Sequence, residues 1–162
     1  MPESTSSNTG RPEVADFQPQ SPDFAARVRD SFARQGIMAL IGARLTRVEP
    51  GLVEIEVPYR DDLTQQHGFF HAGVTSTIGD SAGGYAAFSL FPADASVLTT
   101  EFKINLLAPA EGEVLRAVGR VVKPGRTLTV AEVEVFAVAA GTERLCAKML
   151  ETLMCLHGRP DR

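Results

Sequence analysis

An acidic residue follows a glycine-containing triplet by nine positions in the middle of the chain. His71-Ala72-Gly73 opens the run 71–91, which contains no proline and carries apolar residues at helical spacing, so we predict a helix that ends before Pro92. The first N–H groups of a helix have no intrahelical partner, and no Ser, Thr, Asp or Asn immediately precedes Ala72 to cap them. The amides of Ala72 and Gly73 are therefore candidates to bind a carbonyl oxygen that gains negative charge, with Asp80 as the reacting carboxylate.

The helical rise separates these two groups within one chain. At about 1.5 Å per residue, Ala72 and Asp80 lie about 12 Å apart along the axis, so they do not act on the same carbonyl. If both serve one substrate, they come from different subunits. An antiparallel pair of these helices about a two-fold axis would bring Asp80 of one subunit near Ala72 of the other. The spacing therefore predicts an obligate homodimer with two composite sites.

The surrounding motifs occur in a recognisable order. Gln65 precedes a short loop with His67-Gly68, and the segment FKINLLAP occupies residues 102–109. Together with His71-Ala72-Gly73 and Asp80, this order resembles the phenylacetate-degradation type of thioesterase in the hotdog superfamily. That family carries an Asn, a Gly-containing loop, His-Gly-Gly, and an acid at the same distance past the His. Here Gln65 stands at the Asn position, and Ala72 replaces the first Gly without removing the backbone donor.

The resemblance covers about residues 36–156 and implies an activity. The family hydrolyses acyl- or aryl-acyl-CoA thioesters without a further cofactor, CoA being part of the substrate. It implies Asp80 as nucleophile or general base, and both roles stay open. Gln65 would bind the carbonyl or position water, and Thr99 lies close to where the family often has a hydroxyl that orients the water or the carboxylate. The turn Lys123-Pro124-Gly125-Arg126 corresponds to a loop near the CoA phosphates, where Lys123 and Arg126 would suit the charge.

Several of these residues have structural interpretations as well. His71 is at least as typical of a helix cap or a loop brace as of a catalytic group. Phe69 and Phe70 fit core or dimer-interface packing as well as an acyl pocket, whose depth would depend on how they fold together with Tyr85 and Phe88. The 123–126 segment is first of all a turn.

Other kinds of chemistry are less consistent with the pattern. Gly79-Asp80-Ser81-Ala82-Gly83 is similar to a serine-hydrolase motif, but the helix interposes nearly three turns between His71 and Ser81. His67 and His71 are divided by Gly68 and by the helix start, so they lack the register of a metal-binding pair, and no metal site is predicted. A hotdog hydratase or dehydratase and a non-catalytic module that binds or senses acyl-CoA remain as alternatives.

The elements around the motif predict an α+β fold of the hotdog type. A helix over 21–35, with Ser21 as its N-cap and Pro22 at its first position, precedes a domain at 36–157. In that domain one antiparallel sheet wraps around the central helix. Its predicted strands are Ile37–Val48, Leu52–Val57, Leu98–Leu106, Val114–Val122, Thr127–Val138 and Leu145–Leu156. The short turns between the last four predict a meander. In the first of these four, alternation places Thr99 and Glu101 on one face and Phe102 on the other.

The composition limits the partners. The 162 residues, 44% hydrophobic with a net charge of -4, predict one globular domain without a nucleic-acid footprint. Residues 1–20, rich in Ser, Thr, Pro and Gln, predict a disordered tail. The lack of a signal-peptide pattern and of a membrane-spanning run favours the cytoplasm and no membrane partner. Cys146 and Cys155 are expected to be buried free thiols, and the dimer is expected to pair into a dimer of dimers.

Overall fold

The computed structural model describes residues 16–161. Its elements are α1 (Phe24–Arg34), α2 (Gly36–Ile41), β1 (Arg44–Glu49), β2 (Leu52–Pro58), a 3-10 turn (Asp61–Leu63), α3 (Ala72–Phe88), β3 (Ser96–Leu106), β4 (Val114–Lys123), β5 (Leu128–Ala139) and β6 (Thr142–Leu156). The strands form one antiparallel sheet in the order β1-β2-β4-β5-β6-β3, and α3 packs across its inner face. The predicted α+β class and the sheet around a long central helix are confirmed.

Close packing of α3 on the sheet depends on glycines in both elements. Gly119 of β4 lies directly beneath the α3 backbone at Ala82, and a Cβ at Gly119 would overlap that backbone. Gly83 of α3 leaves room in the same way for the side chain of Glu151 on β6. Each glycine inside a helix costs about 0.5–1 kcal/mol relative to alanine. The close contact between α3 and the sheet therefore gives a packing reason for Gly83 and Gly119.

The prediction of a strand from Ile37 to Val48 is wrong for the first half of that segment. Gly36–Ile41 forms α2, and β1 begins only at Arg44. Met38 and Ile41, three residues apart, are both buried, and Gly42 ends the helix in the left-handed conformation with φ of 72°. Because short apolar runs suit a buried strand and a buried helix alike, periodicity did not separate the two.

The predicted meander is wrong at β3, which pairs with β6 and not with β4. The connection 107–113 therefore crosses from the sheet edge to an interior strand. The Phe70 N–H donates to the Ala110 carbonyl at 3.0 Å, and the Tyr59 N–H donates to the Glu113 carbonyl at 2.8 Å. These bonds hold the connection beside the N-terminus of α3, so it becomes a wall of the cavity described below. A connection of this length does not require that the two strands be neighbours.

β3 is the edge strand of the sheet and contains a β-bulge. Thr99 lies opposite Leu153, and Glu101 lies opposite Thr152, which immediately precedes Leu153 in β6. Two steps along β3 therefore correspond to one step along β6. The bulge reverses the alternation, so Thr99 shares the inner face with Leu153 and Phe102. The prediction that Thr99 lies on the same face as Glu101 is therefore wrong.

The N-terminal segment differs from its prediction at the helix start. Asp23, and not Ser21, is the N-cap residue of α1, and the Ser21 hydroxyl donates to the Asp23 carboxylate. Residues 1–15 of the predicted tail lie outside the described residues. Among the following residues, Phe17 packs against Gly51, and the Gln20 side chain donates to the Leu90 carbonyl at 3.1 Å.

Two further properties bear on the function. Cys146 and Cys155 are buried free thiols, as predicted. Over residues 16–161, no helix is long and apolar enough to cross a membrane, and no cluster of three or more His, Cys, Asp or Glu side chains is arranged to hold a metal ion.

Candidate active site

Asp80 lies in the third turn of α3 and is half-buried beneath the edge strand. Its Oδ1 accepts a hydrogen bond from the Thr99 hydroxyl at 2.7 Å. The β3 bulge makes this contact because it turns Thr99 inward. The hydroxyl fixes one carboxylate oxygen and leaves Oδ2 available to a water molecule or to a substrate carbon.

A cavity of about 310 Å³ opens beside Asp80. Its walls combine small polar groups of α3 with apolar side chains, and the other lining residues are Gln35, Ile37, Ser76, Thr77, Ser81 and Phe102. Phe102 is 43% exposed although it is on the inner face of the sheet, so this cavity is open on the side of the β3 edge.

The N-terminus of α3 is capped by a histidine. The His71 Nδ1 accepts a hydrogen bond from the Gly73 N–H at 2.8 Å, and the His71 carbonyl accepts one from the Val74 N–H at 2.9 Å. The Gly73 amide is therefore occupied, which corrects the expectation that Ala72 and Gly73 both offer free donors. Among the described residues, no acceptor meets the Ala72 N–H, so one backbone donor of the predicted pair remains.

The loop before α3 holds Gln65 in place. Its backbone N–H donates to the Phe69 carbonyl at 2.9 Å, its carbonyl accepts from the Gly68 N–H at 2.9 Å, and Gly68 adopts the positive φ of 79° that this tight turn requires. The Gln65 Oε1 accepts from the His67 N–H. This bond orients the side-chain amide so that its Nε2 group is the free end, without an acceptor among the described residues.

Gln65 and Ala72 share a cavity of about 500 Å³. It lies between the start of α3 and the 107–113 connection, and the remaining lining residues are Phe69, Phe70, Thr75, Leu106, Leu107, Ala108, Pro109, Ala110 and Cys146. The lining is predominantly apolar, with two aromatic rings and a small number of polar donors, which is the usual character of a small-molecule site.

The two groups of predicted catalytic residues thus lie in different cavities of one chain. Gln65 and Ala72 line the larger cavity, whereas Asp80 lines the smaller one, and Thr99 binds Asp80. His71 and Gly73 line a third cavity, of about 380 Å³. This separation agrees with the distance that helical rise predicts.

Tyr85 lies away from all three cavities. It is 2% exposed, and its hydroxyl meets the Ser31 hydroxyl at 3.1 Å and accepts from the Gln35 amide at 2.9 Å. Its ring packs edge-on against Phe32 and Phe88. The structure therefore places Tyr85 in the core, where its ring packs on other rings and its hydroxyl is hydrogen-bonded. The expectation that Tyr85 contributes to a substrate pocket is not met.

The turn at Lys123, Gly125 and Arg126 is exposed and does not line these cavities. The Gly125 N–H donates to the Thr129 hydroxyl at 3.3 Å, and the Arg126 carbonyl lies 2.7 Å from the His157 Nε2. Neither basic side chain makes an ion pair with any residue between 16 and 161. The turn is built by its backbone, and the two charges remain available to solvent.

Ser81 has none of the partners that a serine nucleophile needs. Its hydroxyl donates to the Gln35 Oε1 at 3.2 Å and is buried on the side of α1 and α2. No histidine contacts it within the described chain. The structure therefore agrees with the exclusion of a serine-hydrolase triad.

One acidic residue near Asp80 was missed from the sequence. Glu151 on β6 is 0% exposed, and neither carboxyl oxygen has a hydrogen-bond partner among residues 16–161. Burial raises the pKa of Glu151 to about 9, and the charges of Asp80 and Glu101 contribute in that order. Alternation within Leu145–Leu156 could have placed Glu151 on the inner face with Met149 and Leu153.

The chain is similar to proteins of one family. The profile of the thioesterase superfamily matches residues 67–142. A crystal structure of a thioesterase family protein from Silicibacter pomeroyi is 58% identical, with a TM-score of 0.82, and covers 83% of this chain and 99% of its own. The 1,4-dihydroxy-2-naphthoyl-CoA hydrolase of Listeria monocytogenes is 23% identical over 62% of this chain and 81% of that protein.

The fold extends to more distant relatives. The E. coli PaaI protein from the phenylacetic acid degradation operon shares 16% identity at a TM-score of 0.76, over 87% of this chain and 99% of that one. At that identity the similarity concerns the fold alone. The match at 58% identity over nearly the whole of a thioesterase family protein is decisive for the family. The chain belongs to the thioesterase superfamily, and it is a thioester hydrolase with the hotdog fold.

Proposed function

We propose that the chain hydrolyses an acyl- or aryl-acyl-CoA thioester to the free acid and CoA at a site composed of two subunits. The observation that carries the proposal is the Asp80 carboxylate, held by the Thr99 hydroxyl and half-buried in a cavity open toward the edge strand. A positioned carboxylate and an oxyanion site suffice for a thioester, because its thiolate leaves readily. No cofactor is needed beyond the CoA of the substrate.

Asp80 has two routes to the same products. As a general base, it takes a proton from a water molecule whose oxygen attacks the thioester carbon; the C–S bond then breaks, and the thiolate leaves and is protonated. As a nucleophile, its Oδ2 attacks the carbon and expels the thiolate, and water hydrolyses the mixed anhydride. The Thr99 hydrogen bond supports both routes, because it orients the carboxylate without protonating it.

The oxyanion and the acyl group would lie in the larger cavity of the partner subunit. The unpaired Ala72 N–H and the free Nε2 end of Gln65 are the donors available there. Phe69 and Phe70 offer apolar contact to an alkyl or aryl acyl group. The name of the Listeria relative, an aryl-acyl-CoA hydrolase, favours the same substrate class. The exposed charges of Lys123 and Arg126 suit the phosphates of CoA.

The edge strand supports a homodimer. Of the strands that the structure describes, none lies on the outer side of β3, and three apolar side chains of β3 are exposed: Leu98 at 55%, Phe102 at 43% and Leu106 at 57%. Pairing of two β3 strands about a two-fold axis would cover that edge and would place Asp80 of one subunit opposite the Ala72 end of the other. The further pairing of dimers into a tetramer and the cytoplasmic location stay predictions.

Hydration of a carbon double bond is less well supported. That chemistry needs a histidine beside the acid, and the His71 Nδ1 is already engaged as the cap of α3, in a cavity whose lining does not include Asp80.

Substitution of Asp80 by asparagine tests the proposal. On a panel of alkyl- and aryl-acyl-CoA esters, with thiol release as the readout, kcat of Asp80→Asn is expected to fall about 10²–10⁴-fold, because the base or nucleophile is lost. Asp94→Asn, at an exposed position after α3, is the matched control and should keep wild-type rates. Hydrolysis by Asp80→Asn at the wild-type rate, or no hydrolysis of any CoA ester by the wild type, would overturn the proposal.

A further inference from the structure

The environment of Glu151 is unusual for a carboxyl group. It projects from the inner face of β6, between Ala131 of β5 and Phe102 of β3, and its carboxyl lies against Gly83 of α3. A Cβ on Gly83 would overlap the carboxyl, so the glycine and the acid are matched in shape. A charged group in such a place is very unfavourable unless it is paired, and neither oxygen has a partner in the part of the chain that the structure describes.

Asp80 lies three residues before Gly83 on α3, on the same side of the helix. The two carboxyl groups therefore lie close together in different surroundings. Asp80 is half-buried, lines an open cavity and accepts the Thr99 hydrogen bond, all of which suit a negative charge. Within the described residues, the Glu151 carboxyl has no hydrogen bond and no access to solvent, which suits the uncharged acid.

No positive charge faces Glu151 among the described residues. Asp80 acts from α3 and Glu101 acts from β3, and both are acidic. The inner residues of β5 beside it, Ala131 and Val133, carry no charge. Two carboxylates side by side without a cation share one proton, and the more deeply buried member holds it.

From this geometry we infer that Glu151 is a positioning residue of the thioesterase site, an uncharged acid behind Asp80 that holds the pair's one proton and leaves Asp80 as the sole carboxylate. If Glu151 were charged, its negative charge would lie close to the thioester carbonyl that Asp80 serves, and would repel the oxyanion that forms there. The inference rests on the proposed function of Asp80 and adds a reason why a buried acid is placed beneath it.

A direct test is infrared spectroscopy of the carboxylic acid group over a pH titration. The wild type at pH 7 is expected to show the carbonyl band of a protonated carboxyl, and Glu151→Gln is expected to lack it. In Asp80→Asn the band should disappear at a lower pH than in the wild type, because one of the charges that raise the pKa of Glu151 is gone. A wild-type spectrum without the band, or a titration that Asp80→Asn leaves in place, would overturn the inference.

The rate measurement is separate from the spectroscopic one. Since burial raises the pKa of Glu151 to about 9, a tenth of the wild type keeps the proton at about pH 10, whereas the amide of Glu151→Gln is uncharged at every pH. The ratio of kcat in Glu151→Gln to kcat in the wild type should therefore rise about tenfold from pH 7 to pH 10. Glu132→Gln, on the outer face of β5 and paired with Lys148, makes the same substitution away from Asp80 and should show a flat ratio.

The two proposals fail in different ways. A flat ratio for Glu151→Gln, with Asp80→Asn inactive, would reject the role of Glu151 and keep that of Asp80. An active Asp80→Asn would reject the proposed function itself, while the infrared band would still report whether Glu151 holds a proton.

Discussion

At the scale of single residues, the effect of the Thr99 hydroxyl on the activity of Asp80 can be measured with one substitution. It donates to Asp80 at 2.7 Å, and valine has the same shape without the donor. A hydrogen bond to a charged group contributes about 1.5–3 kcal/mol, so Thr99→Val should lower kcat about 10- to 100-fold, with a smaller effect on KM. Steady-state kinetics on the best CoA ester measure both constants.

The neighbouring Thr100 supplies the control for this substitution. Its hydroxyl donates to the Thr152 carbonyl at 2.9 Å on an exposed part of β3, so Thr100→Val changes the same strand without touching Asp80. Equal losses in the two variants would mean that the strand, and not the Thr99 hydrogen bond, is responsible.

The buried Glu151 carboxyl should make the free energy of unfolding depend on pH, and this effect can be measured without a substrate. The pKa of Glu151 is raised from an ordinary value of 4.5 to about 9 in the folded protein. Between these values the unfolded chain releases the proton and the folded chain keeps it, so the free energy of unfolding falls as the pH rises, by at most about 1.4 kcal/mol per pH unit. Glu151→Gln removes this dependence.

Urea unfolding of the two proteins from pH 5 to pH 9 measures the effect. The stability difference between Glu151→Gln and the wild type should grow in favour of the variant as the pH rises, and it should be smallest at pH 5. A difference that does not change with pH would show that Glu151 is charged in the folded state.

The positions of the candidate site residues could be predicted from the sequence to different degrees. The position of Asp80 relative to His71 was readable, because helical spacing and motif order depend on local sequence alone. The contact between Thr99 and Asp80 was expected only from resemblance, since strict alternation places Thr99 on the wrong face. Glu151 was missed because an acid in a long apolar strand has no motif, and only tertiary packing shows that it lies under Asp80.

At the scale of elements, the proposed oxyanion function falls on a single backbone amide at the N-terminus of α3. Ala72 is the first helical residue, and proline is favoured there because this N–H makes no helical bond. His71 has ψ of 142°, the extended conformation that a residue before proline prefers. Ala72→Pro should therefore keep the fold and lower kcat about 10²–10³-fold by removing one oxyanion donor.

Ala72→Ser is the matched control, because it changes the side chain and retains the amide. Both variants should unfold close to the wild-type denaturant midpoint, and only Ala72→Pro should lose activity. Wild-type kcat in a folded Ala72→Pro variant would exclude the Ala72 amide as an oxyanion donor.

Most elements were predictable from the sequence, and the exceptions share a cause. The long helix and all six strands were found because their patterns extend over many residues. The α2 helix was taken for part of a strand because its apolar run is too short to show a period. The bulge in β3 and the pairing of β3 with β6 are tertiary features, because both depend on which strand lies alongside β3.

At the scale of the whole molecule, we propose a second copy because the two candidate groups lie apart on α3, one at its first residue and one in its third turn. One chain offers a carboxylate in one cavity and an unpaired amide in another, and its edge strand exposes the apolar residues Leu98, Phe102 and Leu106. The homodimer stays a prediction, and on the sequence side it rests on helical rise alone. The set of free donors at the N-terminus of α3 was not predictable, because only the folded chain shows that the Gly73 amide is already bound to His71.

The composite site is tested most directly by pairing two inactive variants. Asp80→Asn and Ala72→Pro subunits carrying different affinity tags are co-expressed, and the mixed dimer is isolated through both tags. In that dimer one site holds both substitutions, and the other combines an intact Asp80 with an intact Ala72. If the two groups serve one thioester across the subunit interface, the mixed dimer should recover about half of the wild-type kcat per dimer. Activity no greater than that of the two parent variants would show that Asp80 and Ala72 act within one chain, and would contradict the composite site.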